Sequence, residues 1–260
     1  MSTVSPVLLL IFAALFGSVF GSFLNVCIVR MPEHRSVVWP PSACGACGRR
    51  LEWFENLPVV AWLALGGRCR TCHAPVSVRY LVVEMLTAAM FVAGMWWYGP
   101  GWLLASRLVF GCILIVLFAT DLEHQLLPDA MTLPGIVIGF AFSFVTAPGW
   151  VSSLIGLLAG GGVLLALAEL YARIRHEDGL GGGDVKMLAM MGAFLGWEQV
   201  LLALMFASFA GSAVGLSLVA LGRGDMKHAL PFGTFLAVGA AVVAVAGDAI
   251  LRWYLGPWAL

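Results

Sequence analysis

The chain has 260 residues, 61% hydrophobic and only 11% charged, with a mean hydropathy of +0.97; this is the composition of an integral membrane protein and excludes an ordinary soluble domain. Its 14 basic and 14 acidic residues cancel, so net charge offers no argument for nucleic acid as a partner. The placement of those charges still carries topological information, because Lys and Arg beside membrane helices favour the cytoplasmic side.

The first apolar run, Val7 to Val29, is long enough to cross a hydrocarbon core about 30 Å thick. No basic residue precedes it while Arg30 and Arg35 follow it, the reverse of the charge order of a secretory signal, so it reads as a retained helix with its N-terminus outside. Gly17, Ser18, Gly21 and Ser22 give it a small-residue face suited to close helix packing. From Arg30 to Tyr80 the composition turns polar, with seven arginines against three glutamates, which predicts a cytoplasmic insert. Within it stand Cys44-x-x-Cys47 and Cys69-x-x-Cys72, separated by 21 residues. Four thiolates in paired turns at this spacing can surround one tetrahedral Zn²⁺, and they leave no open position for a substrate, so the expected metal is structural. A cytoplasmic location keeps thiols reduced and disfavours disulfides. A redox role would need one such turn beside a βαβ unit, and none is visible. His73 and Arg68 read as surface residues, with a metal contact and an anion contact as their respective alternatives, and Cys27 and Cys112 read as buried small hydrophobes.

Seven further apolar runs follow, at about 81–97, 102–120, 131–147, 151–171, 185–196, 199–221 and 232–255. The expected fold is therefore an all-α polytopic membrane protein of about eight transmembrane helices with a cytoplasmic zinc-ribbon-like insert. Its segments are a first helix (1–29), the four-cysteine zinc-binding insert (30–80) and a membrane core (81–260). Alternation from an outside N-terminus places 121–130, 172–184 and 222–230 on the cytoplasmic side, with Arg173, Arg175, Arg223 and Lys227 in or beside those loops, and both termini outside. Of the 14 basic residues only Arg107 and Arg252 fall toward the outer side. The run from Val185 is short and carries Gly192 and Gly196, which predicts irregular backbone lining a hydrated cavity.

Two acids stand at the predicted cytoplasmic boundary. Asp121 opens the turn that runs to Asp129, and Asp184 follows Gly181, Gly182 and Gly183, which are expected to adopt backbone conformations closed to other residues. Ionisable groups at such depth are costly and point to function, with helix capping as the alternative for Asp184. Two carboxylates at one depth on different helices can share a cavity and one proton, as water-mediated peptide hydrolysis requires. Glu123 and Asp129 read as solvated turn acids and His124 as interfacial. Because Asp184 precedes a helix near Lys186 while Asp121 ends one, the shared proton is expected mainly on Asp121, with ionised Asp184 activating water. A proton-relaying transporter is the competing class, but its acids would lie near the midplane at broken helices.

The ordered set of motifs resembles the type IV prepilin peptidases, which belong to the GxGD aspartic proteases. It comprises Gly21-Ser-Phe-Leu-Asn-Val26, the two cysteine turns, Glu55-Asn-Leu-Pro58, Arg79-Tyr80 with Glu84, the 121–129 turn, and Gly181-Gly-Gly-Asp184 with Lys186. The resemblance covers nearly the whole chain. It implies a multi-pass enzyme of the bacterial inner membrane that removes the leader of prepilins or pseudopilins on the cytoplasmic face. It also implies N-methylation of the new terminus from S-adenosylmethionine, and a peptidase lacking that second activity is the nearer alternative. By the same resemblance the catalytic pair falls on Asp121 and Asp184, and the metal ligands on Cys44, Cys47, Cys69 and Cys72. No glycine-rich nucleotide fingerprint follows a strand, so the residues that bind the methyl donor are not assigned.

Overall fold

The computed structural model describes residues 5–175, 181–221 and 230–256. Arg223 and Lys227, two of the basic residues on which the expected topology rests, lie outside them. Among the described residues every predicted apolar run is a helix and no strand forms: α1 (Pro6–Arg30), α2 (Val60–Ala64), α3 (Val78–Tyr98), α4 (Trp102–His124), α5 (Asp129–Phe142), α6 (Trp150–Arg175), α7 (Gly182–Leu195), α8 (Trp197–Ala220) and α9 (Phe232–Leu255). Six of them, α1, α3, α4, α6, α8 and α9, are long and apolar enough to cross a membrane. The expected count of about eight is therefore reduced to six helices of full spanning length among the described residues, with α5 and α7 shorter. Helices α5 and α7 have 14 residues each and extend about 21 Å at 1.5 Å per residue, short of a core of about 30 Å. The run through α5 is longer than its helix because the apolar composition continues past the helix end. There Ser143 Oγ donates to the Phe140 carbonyl at 2.6 Å and Thr146 Oγ1 to the Phe142 carbonyl at 3.0 Å, and Pro148 follows. These hydroxyls satisfy the orphan carbonyls of the last turn.

The chain divides into two compact units, Met1–Leu108 and Val109–Leu260, with the boundary inside α4. In the first, α1 and α3 lie in close backbone contact along the small-residue face of α1. A methyl group at Gly17 would come within 2.8 Å of Ala88 Cα, and one at Gly21 within 2.7 Å of Glu84 Cα. Phe16, Phe20 and Phe91 cluster on the same seam, with Phe20 and Phe91 ring centroids 5.6 Å apart. Asn25, buried, donates from Nδ2 to the Tyr80 carbonyl at 3.0 Å. The insert between these helices is built from loops and the single short helix α2. Arg49 and Glu55 pair at 2.6 Å, and the second Glu55 oxygen accepts from the Glu52 N–H, closing a short 3₁₀ turn.

In the second unit α7 is the centre. Every residue from Met187 to Leu195 is buried, so the helix has no polar face and needs neighbours all round. Its glycines serve that packing. A methyl group on Gly192 would run into the backbone of Gly156 on α6, and one on Gly160 would sit 2.6 Å from the Leu188 carbonyl oxygen. From the other side Met190 fills the space over Gly135 of α5 and Phe194 the space over Gly139, while Phe110 of α4 stacks on Phe194 at 4.8 Å. The expected irregular backbone at 185–196 is thus corrected to a continuous buried helix. It stops at Gly196, whose φ of +83° few other residues adopt.

Candidate active site and metal centre

Asp121 lies in the last turn of α4 rather than in the turn beyond it, because the helix runs on to His124. It ends when Gln125, at φ +50°, returns its N–H to the Asp121 carbonyl at 2.8 Å. The Asp121 side chain is 4% exposed. Its Oδ2 accepts two hydrogen bonds from one residue, the Thr234 N–H at 2.5 Å and the Thr234 hydroxyl at 2.9 Å. Thr234 is the third residue of α9 after Pro231 at the cap, where N–H groups have no partner within the helix and the positive end of the backbone dipole lies. Asp121 therefore caps a helix remote in sequence. Gly233 admits it, since a methyl group there would be 3.0 Å from Asp121 Cγ.

Asp184 is the third residue of α7, partly buried, with its N–H donated to the Gly181 carbonyl at 3.1 Å. The preceding glycines do not use unusual backbone. Gly181 has φ −69° and ψ 132°, and Gly182 and Gly183 are already helical, so that expectation is corrected. Gly183 instead provides room for Leu127, which would lie 3.0 Å from a methyl group at that position. The same Leu127 side chain lies against Gly233, 3.0 Å from where its Cβ would be. One leucine of the α4–α5 connection is thus wedged beside the start of α7, which bears Asp184, and the start of α9, whose Thr234 holds Asp121, and the two carboxylates are near enough to act on each other electrostatically. Lys186 does not serve Asp184. It holds both oxygens of Asp129 at 2.8 Å, so Asp129, exposed as expected, is also an ion-pair partner at the start of α5. Glu123 and His124 lie 3.9 Å apart and largely exposed.

The four cysteines of the insert also converge. Their sulfurs all lie within 4.8 Å of one another. The sulfurs of Cys44 and Cys72 are 3.8 Å apart, about the edge of a tetrahedron with metal–sulfur bonds near 2.3 Å. The two turns repeat one geometry. Gly48 returns its N–H to the Cys44 carbonyl as His73 does to Cys69, and Cys44 and Cys69 donate to the carbonyls of Arg49 and Ala74. His73, at φ +56°, occupies the position that Gly48 takes at φ +70°, so its role is in the turn and it stands outside the sulfur cluster. Backbone N–H groups of Cys72 and Thr71 hold the Cys69 thiol down at about 6, and those of Cys47 and Ala46 lower that of Cys44. These two shifts favour the thiolate that binds metal, while Cys72, despite the Ala74 N–H, is crowded by the other three sulfurs and pushed the other way, up to about 11. Cys27 and Cys112 are buried, as expected.

Thr234 and Leu127 do not stand out in the sequence. A Pro-Phe-Gly-Thr stretch opening an apolar run signals a helix start, but nothing local reports that its third residue meets an aspartate 113 positions away.

Residues 108–216 match the model of the type IV leader peptidase family, and residues 15–98 that of the bacterial peptidase A24 N-terminal domain. Several relatives carry the name prepilin leader peptidase/N-methyltransferase. That of Aeromonas hydrophila is 37% identical over 93% of this chain and 92% of its own length. The Pseudomonas aeruginosa relative is 31% identical over 96% of this chain and 94% of its own, and that of Myxococcus xanthus 40% identical over 82% and 64%. This chain belongs to the type IV leader peptidase family. No solved structure matches it. The family's peptidase region contains both acids, and its N-terminal domain contains all four cysteines.

Proposed function

We propose that this peptidase cleaves the leader of type IV prepilins or pseudopilins at the cytoplasmic face of the bacterial inner membrane, with Asp121 and Asp184 as its catalytic pair, and then N-methylates the new terminus. The observation that carries the reading is the convergence of two carboxylates from separate helix ends beside Leu127, with one of them held by Thr234. The family and the names of its relatives support the two reactions, and basic residues flanking the helices support the orientation.

The hydrogen bonds to Asp121 support the opposite proton assignment to the one expected from helix ends alone. Two donors already point at Oδ2, so the proton of the pair resides on Asp184, and Oδ1 of Asp121 receives the proton of the attacking water. Water oxygen bonds to the scissile carbonyl carbon while Asp184 donates its proton to the carbonyl oxygen, giving a neutral diol. Collapse breaks the C–N bond as the amine nitrogen takes the proton held on Asp121. Asp184 regains its own from the diol hydroxyl.

The cysteine cluster fits zinc by donor set and spacing, and Cys44, Cys47, Cys69 and Cys72 would hold the ion as a fold-stabilising centre. S-adenosylmethionine would supply an electrophilic methyl group for the amine. The division of labour is the membrane core for cleavage and the insert for methylation. Incubating the purified protein in detergent with a prepilin and the methyl donor, and weighing the product by mass spectrometry, tests both reactions at once. A product lacking the leader and carrying one added methyl is expected. An uncut prepilin refutes the peptidase, and a cut but unmethylated product refutes only the second activity.

A further inference from the structure

The first unit has a cavity of about 650 Å³, open to the outside, bounded by α1, the start of α3, the 51–62 segment and both cysteine turns. That is within the size range of cofactor pockets, roughly 300 to 1,000 Å³. Its wall combines three chemistries. Glu84 lines it and is 6% exposed. Glu84 Oε2 accepts from the Val59 N–H at 2.7 Å, which pins the loop entering α2, yet no cationic side chain among the described residues forms an ion pair with it. A carboxylate so buried is costly without a cation, and a positively charged ligand would supply one. The aromatic side chains of Trp62 and Tyr80 also line it. The Trp62 indole is fixed, donating to the Val76 carbonyl at 3.3 Å and lying over Gly67, where any side chain would collide with it. Arg68, also on the wall, can pair with a ligand carboxylate.

One buried carboxylate, an aromatic side chain and the guanidinium groups of the wall around one space of this size match a molecule that carries a sulfonium, an aromatic base and an amino-acid carboxylate. Resting on the methylation reading above, we propose that this cavity binds S-adenosylmethionine, with Glu84 facing the sulfonium, Trp62 the adenine and Arg68 the carboxylate. The site uses no strand and no glycine-rich phosphate loop, which is why the sequence shows no nucleotide fingerprint there.

Two measurements on the full-length protein in detergent test the proposal. Ultraviolet crosslinking of methyl-labelled S-adenosylmethionine to the unmodified protein, with peptide mapping, should place the label within 22–30, 35–51 or 55–84. Equilibrium dialysis should show Glu84→Gln weakening S-adenosylmethionine about tenfold or more while changing the affinity for S-adenosylhomocysteine, which lacks the sulfonium charge, far less. Label elsewhere overturns the site while leaving methylation standing, and needs no variant to fold. Equal affinities of wild type and Glu84→Gln for the sulfonium compound, or equal losses for both compounds, overturn the role of Glu84. Failure of the wild-type protein to bind S-adenosylmethionine at all overturns the methylation reading and this site with it.

Discussion

Thr234 supplies two of the contacts that fix Asp121, and it does so through a backbone N–H that any residue there would keep and a hydroxyl that only a few would. Thr234→Val should therefore lower kcat about tenfold to a hundredfold with KM little changed, whereas Thr234→Ser should restore most of the rate; a hydrogen bond to a charged group is worth about 1.5 to 3 kcal/mol. Equal activity of Val and Ser variants would show that the hydroxyl does not position the acid. Lys186 makes the opposite case. Its ion pair with Asp129 is part-exposed, 40% and 56% by side chain, and such pairs contribute about 0 to 1 kcal/mol. Lys186→Met should leave the pH dependence of cleavage unchanged, and a shifted profile would mean that Lys186 acts on the aspartates after all. The acids themselves and the cysteines are legible in the sequence because charge in an apolar chain and paired Cys-x-x-Cys turns stand out against their surroundings. Thr234, Leu127 and the true partner of Lys186 are not, because each depends on helix ends that meet only in the folded chain.

At the scale of elements, glycine in an apolar run has two readings, broken backbone or close packing, and α7 takes the second. Gly192 faces Gly156 with no room for a side chain. Gly192→Ala should cost about 1 to 3 kcal/mol through overpacking, read as a lower midpoint for thermal inactivation, while Gly182→Ala, which faces open space, should not lower it. Equal midpoints would remove the packing argument for α7. Helix starts are legible wherever a cap or an apolar onset marks them. The end of α4 is not, since Asp121 and Glu123 look like turn residues although the helix carries them through its last turn. In the insert, the four sulfurs set a shape that loops and two isolated bridges, Ala43–Arg50 and Arg68–Pro75, cannot hold by themselves. Cys44→Ser combined with Cys69→Ser should release bound zinc and impair methylation more than cleavage, since metal binding supplies folding free energy to small domains. Full zinc retention would exclude the site, and equal loss of both activities would exclude the division of labour.

For the whole molecule, six long apolar helices among the described residues, with the short α5 and the short, buried α7, make a multi-pass membrane protein, and the proposed orientation puts the acids and the insert on the cytoplasmic side. Single introduced cysteines near position 60 should resist an impermeant thiol reagent in intact cells, and strong labelling there would invert the topology. Composition makes the membrane class legible at once, but run-counting does not report helix length: α7, wrapped by other helices, is as apolar as one facing lipid, and the apolar run through α5 continues past the end of its helix. The central claim is that Asp121 and Asp184 together cleave the substrate. Its most direct test is the rate of prepilin cleavage by purified wild type, Asp121→Asn and Asp184→Asn, each checked for unchanged thermal midpoint and zinc content. Cleavage by the wild type with background rates in both variants is the predicted result. Cleavage at the wild-type rate by either variant would contradict it.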